Sequence, residues 1–555
     1  MQEVVEKTLG KLLLWSLGLV TLLVTPFWSL DPINPIKMLA ISTFGLMSLG
    51  VLLANRRELN LMRYKFPFIT IIGFALWLIV VFFNSKGEKL QQLFGTSGRN
   101  TGLITYLAFS ILFVVSMTVS NDTFLRGFFL ISLSVGLVSL VYGVLQTLGK
   151  DPFDWENPYS PVFGFLGNPN FQSSLLGILG SIVFTQMLLK SMKLQLRVAY
   201  AFYLLLTLFV IKETASQQGF LVLLIGSGFA FGIYLGQKNK AVGLSYLGLA
   251  LIAFVTVLIG ILNKGPLAQI LYKDSVTYRG DYWRAGWKMT LENPIFGVGL
   301  DSYGDWYRRS RTVEATLRRG PETTSNAAHN VFLDISSYGG FPLLLIYATL
   351  MLMVLVAAVR VIKRSPDFNA GFIGLVAGWI AFQAQSLISI NQIGLAIWGW
   401  ALSGLIIGYE VRTRNIGISV ENRLIKKSSD PTQVSAGTSI MLFVGLTIGV
   451  LIGLPPYIAS AKYKSALETG DPKTIQLAAY DWPMEPSRMV FIAQTLNENK
   501  LEAQALKVAM DAVAKFQDNF GAWQVLYSIE NAPSQQKTQA LVQMRRLDPM
   551  NPTLK

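Results

Sequence analysis

The sequence predicts an all-α, polytopic membrane protein, on three observations. Of its 555 residues, 52% are hydrophobic and 14% charged, where soluble proteins carry roughly 25% charge; mean hydropathy is +0.45. The apolar residues fall into separate blocks of about 20, the length that crosses a hydrocarbon layer about 30 Å thick. Lys and Arg gather in alternate loops, as the positive-inside rule requires. Together these exclude a soluble enzyme, a secreted disulfide scaffold and a disordered chain. The net charge of +15, from 47 Lys and Arg against 32 Asp and Glu, follows from the same rule, and no nucleic-acid partner is expected.

Thirteen spans are expected, at 11–29, 38–54, 67–84, 102–119, 124–147, 173–189, 197–211, 219–236, 241–262, 341–360, 369–389, 393–410 and 438–460. The first block starts near Lys11, and no small-residue cleavage site precedes the next, so it reads as a span and not as a removed signal. With the N-terminus cytoplasmic, the inside loops collect Arg56, Arg57, Arg63 and Lys65; Lys190, Lys193 and Arg197; Lys238 and Lys240; Arg360, Lys363 and Arg364; and Arg412, Arg414, Arg423, Lys426 and Lys427. The loops at 85–101, 148–172 and 263–340 then lie outside, and the last span carries residues 461–555 to the same face. The expected organisation is a membrane domain over 1–436 with its outer loop at 263–340, a last span at 437–460, and an extracytoplasmic domain at 461–555.

The tail is charged, helix-prone and poor in Gly. Met489 and Ile492 recur as Trp523 and Leu526, and Ala505-Leu506 as Ala540-Leu541. A period of 34–35 residues fits helix–turn–helix repeats of tetratricopeptide type, and a plain helical cap is the alternative.

With no Cys, thiolate chemistry and disulfides are excluded, and the one histidine, His329, is the single candidate for imidazole chemistry. It precedes the tenth span, where Ser325 or Asn326 is placed to cap the helix. The positive end of that helix lowers an imidazole's pKa from about 6.5 and leaves a neutral base; a structural His bonded to a loop carbonyl is the other reading. Upstream, Arg279, Trp283 and Trp287 follow at four-residue intervals on one helical face. That pattern suits an anion clamp, since the planar guanidinium matches phosphate, and equally an interfacial anchor. Pro294, Gly297 and Gly299 end the helix in a tight turn. Arg99, in Gly95–Gly102, is an anion binder or a solvated charge. Asp151, Asp154 and Glu156 could hold a cation but lack metal-ligand spacing, and no metal is expected. Asn168 and Asn170 could pair with sugar hydroxyls or cap the sixth span, and the polar stretch Thr214–Gly219, with Gln218, reads as a pocket wall or as helix-to-helix hydrogen bonds.

In these residues the sequence resembles the O-antigen ligase and O-antigen polymerase family of bacterial membrane glycosyltransferases. The likeness is an Arg-x-x-x-Trp helix (Arg279, Trp283), then Pro-x-x-Gly-x-Gly (Pro294, Gly297, Gly299), then His329-Asn330 entering a span. Gly98-Arg99 with Gly102, and Gly167 to Asn170, add to it, and residues 10–410 are covered. The resemblance implies a helical bundle of the GT-C type with about 12–13 membrane helices, in the bacterial cytoplasmic membrane. It implies a polyprenyl-pyrophosphate-linked glycan donor, a glycan, lipid or protein acceptor at the outer face, and metal-independent, inverting transfer without a cofactor. In that scheme His329 deprotonates the acceptor hydroxyl and Arg279 holds the pyrophosphate. Arg99, Arg284, Asn168, Asn170, Gln218, Trp283 and Asn330 bind substrate. One departure is clear: the family's Ser-Arg-Gly is here Ser216-Gln217-Gln218-Gly219. The missing cation would be replaced by Arg284 or Arg99.

Ligase and polymerase both remain open, with a protein O-oligosaccharyltransferase as the near alternative. A transporter or flippase is the alternative of another class; it predicts inverted repeats and helices broken at mid-membrane, and no repeat between halves is visible. A non-catalytic assembly scaffold is a third, for which the tail alone argues.

Overall fold

The computed structural model describes residues 2–155, 162–272, 274–365, 367–414 and 434–554. Glu156, Arg423, Lys426 and Lys427 lie outside them. Among the described residues the protein is helical, without strands. In the first half run α1 (Gln2–Leu22), α2 (Asn34–Ala54), α3 (Lys65–Asn84), short α4 (Lys89–Phe94), α5 (Leu103–Val119), α6 (Asp122–Thr147), α7 (Pro169–Met187), α8 (Leu194–Glu213), α9 (Gln217–Lys238) and α10 (Lys240–Ile261). The long loop after α10 holds α11 (Ala268–Leu271), α12 (Asp274–Glu292), α13 (Tyr303–Ser310) and α14 (Val313–Arg319). Then come α15 (Val331–Arg364), α16 (Ala370–Ser386), α17 (Ile393–Thr413) and α18 (Ala436–Thr469), and in the tail α19 (Pro472–Ala478), α20 (Pro486–Glu498), α21 (Glu502–Lys515), α22 (Phe520–Ser528) and α23 (Ser534–Leu547).

Each expected span falls on one of these helices, and among the described residues nine are long and apolar enough to cross a membrane. The four others are α1, α5, α7 and α16, and α5, α7 and α16 bury most of their residues. On α7, for example, Ser173, Ser174, Ser181 and Thr185 are buried. Small polar residues at such contacts let helices approach closely and bond across. Gly445, Gly449 and Gly453 do the same where α18 lies along α2, each set against its backbone.

Two boundaries differ from the sequence expectation. The first helix ends at Leu22, not 29, because Thr25 to Pro32 fold into a turn closed by the Thr25 N–H on the Pro32 carbonyl (2.8 Å). The tenth span begins ten residues early, at Val331, and breaks at Gly339–Gly340 just before Pro342. Into that break fits the turn after α12. Val298 N–H donates to the Ser337 carbonyl (2.7 Å), Gly299 N–H to Tyr338 (3.2 Å), and Phe341 N–H to Pro294 (2.8 Å). Gly297 and Gly340 both have left-handed φ, +62° and +70°, and a Cβ at either would strike the opposing backbone. The long loop is thereby tied into the helical bundle.

α18 runs on past the bundle. Its residues Tyr463 and Ala466 belong to a second hydrophobic core, with Met489, Ile492, Ala505, Trp523, Leu526 and Ala540. The residues that recur at 34–35 positions thus occupy matching places in two consecutive helix pairs, α20–α21 and α22–α23.

Candidate active site

α12 and the loop before α15 build the site. His329 sits in that loop with φ +54°, a left-handed backbone that costs a side-chain-bearing residue about 1–2 kcal/mol. Three bonds hold the loop. The Asp334 carboxylate accepts from the Ala328 N–H (2.7 Å), the Asn326 carbonyl accepts from Arg99 (2.6 Å), and the Ser325 hydroxyl donates to the Ala327 carbonyl (2.8 Å). The cap of α15 is Asn330, whose side-chain oxygen accepts from the Phe332 and Leu333 N–H groups (3.0 and 3.2 Å). Ser325 and Asn326, expected as caps, lie too far upstream to reach those donors.

The His329 ring stacks on Tyr282 of α12, centroids 5.3 Å apart and planes at 27°. Neither ring nitrogen is hydrogen-bonded to protein among the described residues, so both are free for a substrate. Burial first, then the charges of Arg279, Arg99 and Arg319, push its pKa down to about 4. The direction is the one expected from the helix end; the main causes are desolvation and three arginines.

Arg279 shares this site, since its charge acts on the imidazole. Burial holds its own pKa below the usual value, and among the described residues it has no ion pair and no hydrogen bond. A desolvated guanidinium without a counter-ion is a receptor for an anion. Arg319, at the end of α14, lies over the Tyr278 ring at 4.4 Å and bonds the Tyr282 hydroxyl. Arg279 and Arg319 therefore flank the Tyr282–His329 stack with positive charge.

Other expected site residues have different partners. Arg99 is 5% exposed; it bonds Tyr338 (3.0 Å) and the Asn326 carbonyl and pairs with Asp301 (3.4 Å). Through the Asn326 carbonyl it helps to hold the His329 loop. Arg284, the expected substitute cation, turns to Asp281 (2.5 Å), which Arg318 shares (2.6 Å). Trp283 is exposed without ring partners; Tyr282, one position earlier, is the aromatic that faces the imidazole, because residues three apart also share a helical face. Besides capping α15, Asn330 donates to the Leu387 carbonyl (3.0 Å).

A second polar group forms where α7 and α9 begin. Asn168 caps α7 by accepting from the Asn170 N–H (2.9 Å), and the Asn170 side chain accepts from the Ser216 hydroxyl (2.7 Å). Gln218 is buried and, among the described residues, both its amide atoms lack a partner, as do those of buried Gln172 on α7. No hydrogen bond or ring contact among the described residues joins this group to His329 or Arg279. Tyr282, Arg319 and Gln172 were not anticipated. Arg319 gave a signal, since it stands in a run of basic residues between Arg308 and Arg319, but such a run reads first as a solvated face. Asp151 accepts from Tyr142 (3.0 Å) and Gln146 (2.8 Å).

Residues 201–348 match the family model described as O-Antigen ligase. The match runs from α8 through the long loop into α15 and so includes Arg279, Tyr282, Arg319 and His329. No curated protein matches the chain.

Proposed function

We propose, starting from the O-antigen ligase domain that residues 201–348 form, that this multi-pass membrane protein transfers a glycan from polyprenyl pyrophosphate to an acceptor hydroxyl at the outer face of the cytoplasmic membrane. The N-terminus is then cytoplasmic and the tail extracytoplasmic. The observation that carries the reading is an unpaired Arg279 beside a neutral, unbonded His329. One group suits diphosphate and the other a hydroxyl proton.

In this mechanism the acceptor oxygen attacks the anomeric carbon as its proton passes to a ring nitrogen of His329. The bond from that carbon to the pyrophosphate oxygen breaks on the opposite side, so the centre inverts. The negative charge that grows on the leaving group meets Arg279 and Arg319. Contacts of this kind contribute about 1.5–3 kcal/mol each, and a positioned base typically contributes 10²–10⁴-fold. No divalent cation is needed to hold the diphosphate. Donor binding also prepares the base: an anion between the arginines offsets the charges that depress His329, so its proton affinity rises when the donor is in place.

The acceptor is a glycan end, a lipid or a protein. The transporter reading loses support at α15. Its break is bonded to the Pro294–Gly299 turn of the same chain, where a carrier of this kind would use such a break to bind its cargo. The test is transfer by purified protein from a polyprenyl-pyrophosphate glycan with EDTA present. Wild type is expected to act, His329→Ala to fail, and Arg279→Ala to lose most transfer at donor concentrations near the wild-type KM. Normal transfer by His329→Ala removes the base assignment, and EDTA inhibition reversed by a divalent cation removes the metal-free scheme.

A further inference from the structure

We propose that Asp548, near the end of the chain, is a positioning residue for the catalytic loop, so that the tail is part of the active-site scaffold. Asp548 follows α23, and its carboxylate is inserted into the outer loop. It pairs with Arg311 of that loop (2.6 Å) and with Arg308 of α13 (3.0 Å). The Arg311 side chain is 1% exposed and that of Asp548 0%. The same guanidiniums hold the backbone beyond α14. Arg308 and Arg311 both donate to the Pro321 carbonyl (2.8 and 2.9 Å), and Arg311 also to the Thr323 carbonyl (3.1 Å). Pro321 and Thr323 lie between Arg319, which bonds Tyr282, and His329, which stacks on it. The carboxylate thus orders the guanidiniums, the guanidiniums order the turn, and the turn sets Arg319 and His329 against one ring.

The charges make this arrangement dependent on the tail. Without Asp548, Arg311 would be buried with no carboxylate and Arg308 would keep only the exposed Glu322 (3.5 Å), and breaking such a buried pair costs more than forming it contributes. At least one would move to water and release Pro321 or Thr323. Further contacts seat the tail on the same face. Asp518 pairs with Arg309 (3.4 Å), Asn519 bonds Asp305 (3.3 Å), Arg308 lies over Phe520 at 4.0 Å, and Trp482 meets Phe94 edge-on at 5.3 Å.

The inference rests on the proposed role of His329, and its test separates the two. His329 is the chain's one histidine, so ¹³C-histidine labelling of the full-length protein gives a single imidazole resonance. Asp548→Asn is expected to move that resonance and lower kcat at least 10-fold, while Asp548→Glu keeps most of both. Arg311→Lys keeps a cation for Asp548 but loses the fork to Pro321 and Thr323. It is expected to move the resonance while the resistance of residues 461–555 to limited proteolysis, a marker of the folded tail, stays unchanged. An unmoved resonance in folded Asp548→Asn or Arg311→Lys overturns the proposal. If wild type transfers nothing while the resonance responds as expected, the transferase reading fails and the positioning stands.

Discussion

Tyr282 covers one face of His329, with its hydroxyl bonded to Arg319 rather than to the imidazole. The ring is therefore oriented by stacking and its nitrogens are left open. Tyr282→Phe keeps the stack but frees Arg319. It is expected to retain substantial kcat while raising donor KM several-fold, and Tyr282→Ala to lose most of kcat. Equal kinetics for the two variants, measured by donor titration, would remove the stacking role.

Among the described residues Arg279 has no ionic partner to lose. Arg279→Ala should therefore leave the melting temperature within a few degrees of wild type. It should raise donor KM roughly 10- to 100-fold, the effect of one charge-assisted contact of about 1.5–3 kcal/mol. A donor KM within twofold of wild type excludes it as the diphosphate receptor.

The pH dependence has a definite sign. The free protein holds His329 at about 4, so the neutral, proton-accepting form prevails above that pH and is lost as pH falls through it. Bound diphosphate offsets Arg279 and Arg319 and raises the pKa. The acid limb of kcat, which reports the complex, is expected at higher pH than that of kcat/KM for the donor, which reports the free protein. Coincident limbs, or the reverse order, contradict an anion seated between those arginines.

Asp334 is buried, and one of its carboxylate oxygens accepts from the Ala328 N–H. Asp334→Ala leaves that donor unpaired, at about 1–3 kcal/mol, and loosens the backbone before His329. At least a 10-fold loss of transfer is expected, with partial recovery in Asp334→Asn, which keeps an acceptor. Thermal unfolding and transfer rate together check this; an alanine variant as active and stable as wild type rejects it.

Gly340 combines a left-handed φ with backbone oxygens where a Cβ would stand. Gly340→Ala is expected to destabilise by more than about 2 kcal/mol. Gly280, inside α12 with open space around it, is the contrast. Gly280→Ala should be neutral or stabilise by about 0.5–1 kcal/mol. Comparable melting shifts for the two would mean that the α15 break is not held by the Pro294 turn.

The helical architecture was legible because each apolar block is long and the basic loops alternate; both are local properties. The helix ends were less so. Asn330 rather than Ser325 starts α15, and the Gly339–Gly340 break cannot be read without the turn that fills it. In the site, Arg279 and His329 stood out by type and spacing, and the structure places both around Tyr282. The ring that stacks on His329 belongs to Tyr282, one position from Trp283 and a rotation of about 100° on a helix, which spacing alone did not show. Arg99 and Arg284 were taken as open cations because sequence does not show that Asp301 and Asp281 face them. Arg319 and Asp548 were out of reach, since their roles depend on segments far apart in the chain.

The left-handed backbone at position 329 also bears on how the imidazole can be removed. Asparagine and glycine accept that geometry more readily than alanine does. His329→Asn is thus the cleaner way to silence the chemistry: it subtracts the base while leaving the shape of the loop largely alone. A chain silenced in this way should still capture its lipid-linked donor and hold it unreacted, a trap from which the bound substrate could be recovered and identified.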